Sequence, residues 1–381
     1  MQVERVLVVG AGIGGLAAAV AFARRGVKVD VVEIRPDTEV HGVGIIQPAN
    51  ALRAVRSLGL LDEVLAAGFQ FAQNSFYDWQ GELITPYPSV LGTDVPSFNA
   101  LGRPVLHEIL SSAALRWGAK IAYGVTWSEL DESESGVSVT LTDGSRADYD
   151  LVVGFDGIRS PLRGHLFSEK YDPVFTGSAV WRVTMPRPPE LTDFKLFLGD
   201  QTKAGLVPLS EELMYLLLVS LEPGNPRHDP ADFPRMLVER LAGYGGLIGE
   251  LRDRISPSAT VVYSPISEVW LPDPWYRGRV VLLGDAAHAC APHLAQGAAM
   301  AVEDAVALAE ECEVPRPIED SLAALMKRRF ERVSLVQKVS GAIEAEETSL
   351  TADRLSSAVI QMRTGIPERL GKVESALNQP F

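Results

Sequence analysis

Gly10-Ala11-Gly12-Ile13-Gly14-Gly15 is a G-x-G-x-x-G turn, with glycines 10, 12 and 15 in register. In such a turn the first glycine permits a tight reversal and the second lets backbone approach a pyrophosphate. The third allows a helix to pack closely on a strand. The helix N-terminus then offers free N–H groups and a positive dipole end to the phosphate. Glu33 follows at the spacing of an acid that accepts hydrogen bonds from a ribose diol. The turn alone does not separate NAD from FAD.

Three further groups carry chemistry. Gly154-Phe155-Asp156-Gly157 runs on through Arg159 to Arg163, and Gly284-Asp285-Ala286-Ala287-His288 leads to Pro292, His293, Gln296-Gly297 and Glu303-Asp304. Arg103-Pro104-Val105-Leu106-His107 opens an expected helix, where a guanidinium can pair with a pyrophosphate. No G-x-S-x-G elbow, H-E-x-x-H pair, P-loop or metal-ligand spacing occurs, so no metal is expected. Cys290 and Cys312 read as ordinary thiols in a reducing compartment.

These residues need elements to hold them. Arg5 to Val9 and Lys28 to Glu33 are valine-rich runs of the kind found in strands buried on both faces. Leu16 to Arg25 between them reads as a helix stopped by Gly26, which completes one βαβ unit. Further helices are expected at Pro48 to Leu58 and Val105 to Trp117, and a hairpin around Thr142-Asp143-Gly144. Asp150 to Phe155 and Arg279 to Leu283 return to the buried-strand pattern, each leading into one of the motifs. Between about 175 and 262 the texture changes to sheet, with apolar strands such as Leu213 to Leu221. From Ile318 the chain reads as largely helical.

The glycine turn, the motif from Gly154 to Arg163 and the motif from Gly284 onward, in this order, resemble the fingerprints of the aromatic-ring flavoprotein hydroxylases, the 4-hydroxybenzoate hydroxylase-like family, over nearly the whole chain. The resemblance implies an α/β fold: a Rossmann-like FAD-binding domain with an inserted, mostly antiparallel substrate-domain sheet and a helical C-terminal tail. The boundaries expected are 1–70, 99–175 and 275–320 for the FAD domain, 71–98 and 176–274 for the substrate domain, and 321–381 for the tail. The cofactors implied are FAD and, as transient donor, NADH or NADPH. FAD contacts are expected from Gly10, Gly12, Gly14, Gly15, Glu33, Arg35, Arg103, His107, Asp156, Asp285, Gly297 and Ala298. The reaction implied is hydroxylation of a small aromatic or heteroaromatic ring by dioxygen, through a C4a-hydroperoxyflavin. His288 is expected to be structural.

On the substrate side, Trp181, Phe197 and Tyr77 are candidates for a flat apolar wall, with Arg182, Tyr215 and His293 as its polar handles. Arg182 can pair with a carboxylate or phenolate, and His293 or Tyr215 can shift a hydroxyl proton. Pro292 is expected beside the flavin face where dioxygen reacts. Three positions depart from the family pattern: Phe155 replaces a small residue, and Ala295 and Ala299 stand where Gly and Asn are common. Ala295 is expected to force the loop onto a different path, because it lacks glycine's access to positive φ. The stretch Leu294-Ala295-Gln296-Gly297 resembles that of some pyridine-ring hydroxylases of this family, which implies a pyridine-type substrate.

A formal net charge of −14 leaves no basic stripe for nucleic acid and disfavours an anionic membrane surface. No apolar run is long enough to span a bilayer, so a cytoplasmic protein is expected. A homodimer is the working expectation for assembly. Two rivals stand beside the hydroxylase: a flavoprotein of the same fold acting on a quinone or lipid-like substrate, and a flavin-binding regulator without turnover. The exact ring, the position hydroxylated and the choice between NADH and NADPH are not written in the sequence.

Overall fold

A computed structural model describes residues 3–37, 43–167 and 171–381. Its central sheet has six strands in the order Tyr276–Arg277, Val280–Leu282, Leu151–Gly154, Arg5–Val9, Lys28–Glu33, Lys120–Tyr123. All run parallel except the edge pair formed by Tyr276–Arg277. Arg5–Val9 and Leu151–Gly154 are almost wholly buried, as valine-rich strands covered on both faces must be. The helix Ile13–Ala23 begins earlier than its alanine run suggests, because Gly14 and Gly15 already lie in its first turn. Every residue of that helix is buried. Gly15 has no room for a side chain, since a Cβ there would stand 1.9 Å from the Gly10 carbonyl oxygen.

The second large sheet has seven strands in the order Val261–Glu268, Val174–Pro186, Leu213–Leu221, Thr202–Pro208, Phe194–Gly199, Gln73–Tyr77, Leu83–Pro88. It is antiparallel apart from the pairing of Phe194–Gly199 with Gln73–Tyr77. The helices Phe233–Arg240 and Gly246–Arg252 cover one face over a core containing Trp181, Leu216 and Leu218. The helix Ala352–Leu377 packs on the other face through Leu355 and Met362, against Phe76, Leu196 and Leu198. The hairpin at Thr142-Asp143-Gly144 forms as expected, with Gly144 at φ +84°. Two half-exposed strands, Lys120–Tyr123 and Trp127–Glu132, escape sequence reading because they are short and carry no clean apolar alternation.

A buried ionic cluster ties two C-terminal helices to each other. Arg329, on the helix Ile318–Thr348, reaches Glu303 at 2.5 Å and Asp304 at 2.7 Å on the helix Gly297–Glu313. Arg332 adds a second cation to Glu303, and Asn50 Nδ2 donates to both Glu303 and Gln296. His288 Nε2 lies 2.7 Å from Asp304 Oδ2, which also accepts the Gly284 N–H. Burial alone would raise the Asp304 carboxyl, but His288 and Arg329 overcome it and hold it at about 2. His288 is thus part of the scaffold, as the sequence suggests, and the cluster fixes both ends of the loop 289–296.

Candidate active site

The glycine turn opens onto a cavity of about 950 Å³. Gly12, Gly14, Arg103, Phe155 and Asp285 line one end, and the loop from Pro292 through Gln296 to Ala298 lines its middle. A Cβ on Gly12 would meet nothing, so backbone here is open to a ligand. The Asp285 carboxylate has no hydrogen bond or ion pair among the described residues, and Asp156 Oδ1 is buried without a partner. The helix Gly297–Glu313 points its N-terminus at the same space, with Gly297 and Ala298 on the wall. Open backbone, a free carboxylate and two helix N-termini together fit a dinucleotide such as FAD.

Other expected cofactor residues stand behind this wall. Glu33 accepts N–H groups from Ala11 at 2.9 Å and from Arg35 at 3.0 Å, so its carboxylate already braces the turn. His107 Nε2 lies 2.8 Å from the Ala11 carbonyl, and burial lowers its pKa, so a neutral ring donates to that oxygen. Gly10, at φ +105°, would place a Cβ 2.3 Å from the Phe155 carbonyl oxygen. Asp156 Oδ2 accepts the Leu162 N–H, and Arg163 donates to the carbonyls of Ala286 and Ile158. Arg163 is therefore a structural tie between two motifs.

The three departures from the family pattern have distinct outcomes. The Phe155 ring lies where a side chain on Gly14 would stand, 2.6 Å from that hypothetical Cβ. Gly14 thus makes room for Phe155. Gly14→Ala is expected to destabilise the protein by about 1–3 kcal/mol through overpacking, and Phe155→Ala in the same chain should recover much of that. Thermal melts of the single and double variants would show non-additivity if the two side chains compete for one space. Ala295 overturns an expectation: it adopts φ +54°, ψ 31°, the left-handed conformation that glycine would take. The loop keeps its path at a cost of about 1–2 kcal/mol of local strain. Ala299 is fully buried on the helix Gly297–Glu313.

Of the substrate-side candidates, Arg182, Tyr215, Pro292 and His293 share the cavity wall. Trp181, Phe197 and Tyr77 do not, and their assignment is corrected here. Successive strand residues point to opposite faces, and Val180, Arg182, Leu196 and Leu198 take the cavity side. Trp181 therefore packs under Phe233 and Tyr263, and Phe197 stacks on Tyr77 at 4.8 Å in the core beyond the sheet. These aromatics pack in the core beyond the sheet and not on the cavity wall.

Arg182 is half-buried with no ion pair among the described residues, and desolvation lowers its pKa. The Tyr215 ring packs flat against Gly44, and burial pushes its phenol up to about 12 despite Arg182 nearby. Cys290, also on the wall, is pushed up to about 12 by burial and stays a neutral thiol. The His293 side chain is fully buried, and Nδ1 has no partner. Nε2 lies 3.2 Å from Glu347 Oε2 but is misaligned for a hydrogen bond. Lys203 reaches the same carboxylate at 2.7 Å. Burial, then the Lys203 charge, lowers the His293 pKa, while burial of Glu347 is outweighed by Lys203 and His293, which hold its carboxyl below the usual range. Lys203 and Glu347 carry a weak sequence signal: a lysine in the apolar strand Thr202–Pro208, and an acid far along a helix.

Comparison with known proteins places these features in context. The family described as "FAD binding domain" matches residues 4–312. The 2-heptyl-3-hydroxy-4(1H)-quinolone synthase of Pseudomonas aeruginosa is 35% identical over 341 residues, covering 88% of this chain and 87% of that protein. The 6-hydroxynicotinate 3-monooxygenase of Bordetella bronchiseptica is 31% identical over 355 residues, covering 88% and 90%. Among solved structures, a variant of Klebsiella pneumoniae HpxO complexed with FAD superposes with a TM-score of 0.86 at 25% identity, covering 99% of both chains.

Proposed function

This chain belongs to the FAD-binding-domain family, among its aromatic-ring monooxygenases, and from that premise we propose that it hydroxylates an oxygen-bearing nitrogen heteroaromatic ring. The net reaction consumes NAD(P)H, a proton and dioxygen, and yields NAD(P)⁺, water and the ring carrying one added oxygen. Bound FAD supplies the electron transfer and the activation of dioxygen. Gly12, Gly14, Arg103, Asp285, Gly297 and Ala298 would hold it from the cavity wall, while Gly10, Gly15, Glu33, Arg35, His107 and Asp156 shape or brace the turn behind.

The observation that carries this reading is the pairing of two unsatisfied groups on one wall. Arg182, half-buried, has no counter-ion among the described residues, and the buried His293 Nδ1 has no partner. A ring oxygen anion satisfies the first, and a ring O–H or N–H satisfies the second. Arg182 would fix the ring and stabilise negative charge on it. Neutral His293 would accept the ring proton, raising electron density at the carbon to be oxidised. Tyr215 remains a neutral phenol and can only donate a hydrogen bond or accept one. The names of the two relatives describe a quinolone and a hydroxypyridine acid, both oxygenated nitrogen rings.

Turnover tests the reading. The FAD-loaded protein is offered NADH and NADPH with 6-hydroxynicotinate, a 2-alkyl-4(1H)-quinolone series, and phenolic acids. A nitrogen heterocycle should stimulate NAD(P)H consumption and gain one oxygen by mass spectrometry. Stimulation by phenolic acids alone would remove the heteroaromatic assignment. Arg182→Met should weaken substrate binding by about 2–5 kcal/mol, the cost of truncating one partner of a buried charge pair, without reducing FAD content. The pH profile has a stated sign. His293 must be neutral to act, so kcat/KM should fall only as pH drops below the ordinary histidine range, through its lowered pKa.

A further inference from the structure

The cavity does not end at Arg182 and Tyr215. Strand register lays one continuous row across the sheet, in which Arg182 pairs with Leu217, Leu217 with Gly205, Gly205 with Leu196 and Leu196 with Phe76. Apart from Gly205, each of these residues lines the cavity. Five strands are crossed in four steps, and at about 4.8 Å per step the row is roughly 19 Å long. A single or fused ring held at Arg182 leaves most of that length unfilled.

The far part is mainly apolar on both walls, with Asn74 on the sheet side and Gln361 and Glu374 on the helix side as its polar members. Opposite Leu196, Leu198 and Phe76 stand Ala358, Met362, Ile366 and Leu370 of the helix Ala352–Leu377. Their spacing of four residues puts them on one helical stripe. At Gly205, midway along the row, Leu217 and Phe194 fill the wall, since a Cβ there would press on them at 3.1 Å and 3.2 Å. Of the acids and bases near this trough, Lys203 pairs with Glu347 and Arg369 with Glu346 at 2.6 Å, and the Glu374 carboxyl accepts from the Tyr87 and Ser89 hydroxyls and the Val90 N–H. An apolar occupant leaves each of them with the partners it already has.

From this geometry we infer that the ring substrate carries a hydrocarbon chain, alkyl or prenyl, which lies in the trough between the sheet and the helix Ala352–Leu377. This rests on the heteroaromatic reading above and specifies the substrate's other half. The ring is oriented at one end by Arg182 and His293. The chain is bound at the other end by burial alone, and its length sets affinity.

The test uses the FAD-loaded full chain and 2-n-alkyl-4(1H)-quinolones bearing methyl, propyl, pentyl and heptyl chains. Binding is read from perturbation of the flavin absorbance, and turnover from substrate-stimulated NAD(P)H oxidation. Each added methylene should tighten binding about four-fold, equivalent to about 0.8 kcal/mol of transfer free energy. Met362→Trp, which fills the helix side, and Leu198→Trp, which fills the sheet side, should each flatten that dependence. A flat wild-type series overturns the inference while leaving the ring assignment standing. A steep series that neither variant alters overturns the trough as its site. If 6-hydroxynicotinate turns over but no quinolone binds, the chain-bearing substrate is ruled out. If no heterocycle binds or turns over, the ring assignment fails and this inference falls with it.

Discussion

His293→Asn is expected to slow product formation by about 10²–10⁴-fold, the range associated with loss of a positioned general base. Asparagine keeps a polar group on the loop but cannot take up the ring proton. Substrate binding should change far less, because Arg182 and the walls remain. NAD(P)H consumption should then outrun product, since the donor is still oxidised while the ring is not activated. The acid limb of the kcat/KM profile should disappear with the imidazole. Rapid-mixing measurement of product per NAD(P)H, across pH, separates this from mere misplacement of the loop. A variant that kept the wild-type acid limb would return His293 to a structural role.

The second large effect concerns stability. Arg329→Met is expected to cost about 3–5 kcal/mol, because it leaves a buried carboxylate short of a partner. Glu303 retains Arg332, but Asp304 would keep only His288 and the Gly284 N–H. The dependence on pH carries the cause. Asp304 is held at about 2, below the ordinary carboxylate value, so its contribution is present above that ordinary value and lost as pH falls toward 2. Without Arg329 the carboxyl rises, and acid unfolding should begin at higher pH. Denaturant melts of wild type and variant between neutral and acid pH would show the gap narrowing as pH falls.

Much of the FAD half was legible in the sequence because its constraints are local. A glycine turn, a valine-rich strand before it and an acid after it occupy consecutive stretches, and Gly15 is required by a contact with Gly10 within the same turn. The substrate half was less legible. Val174–Pro186 and Leu213–Leu221 are apolar on both faces, so periodicity does not say which face meets the cavity. Trp181, Phe197 and Tyr77 were expected at the site because aromatics suit a flat ligand, yet alternation turns them into the opposite core. Lys203 and Glu347 are far apart in sequence and meet only through folding. The helix Ala352–Leu377 reads as a tail, and only its packing makes it a cavity wall. Ala295 shows a subtler failure: the local preference against positive φ was real, but the loop's fixed ends override it.

The alternation of the seven-stranded sheet also bears on how such an enzyme can change. In the strand Val174–Pro186, Val180 and Arg182 face the cavity, while Trp181 and Val183 face the sealed core. The same split recurs with Leu196 and Leu198 against Phe197. Selectivity and foldedness are thus written on interleaved letters of the same segments. A mutational library confined to positions 180, 182, 196, 198, 215 and 217 would explore new rings and chains with the scaffold's aromatic core untouched. Drift at those sites would give kindred enzymes with one architecture and many diets.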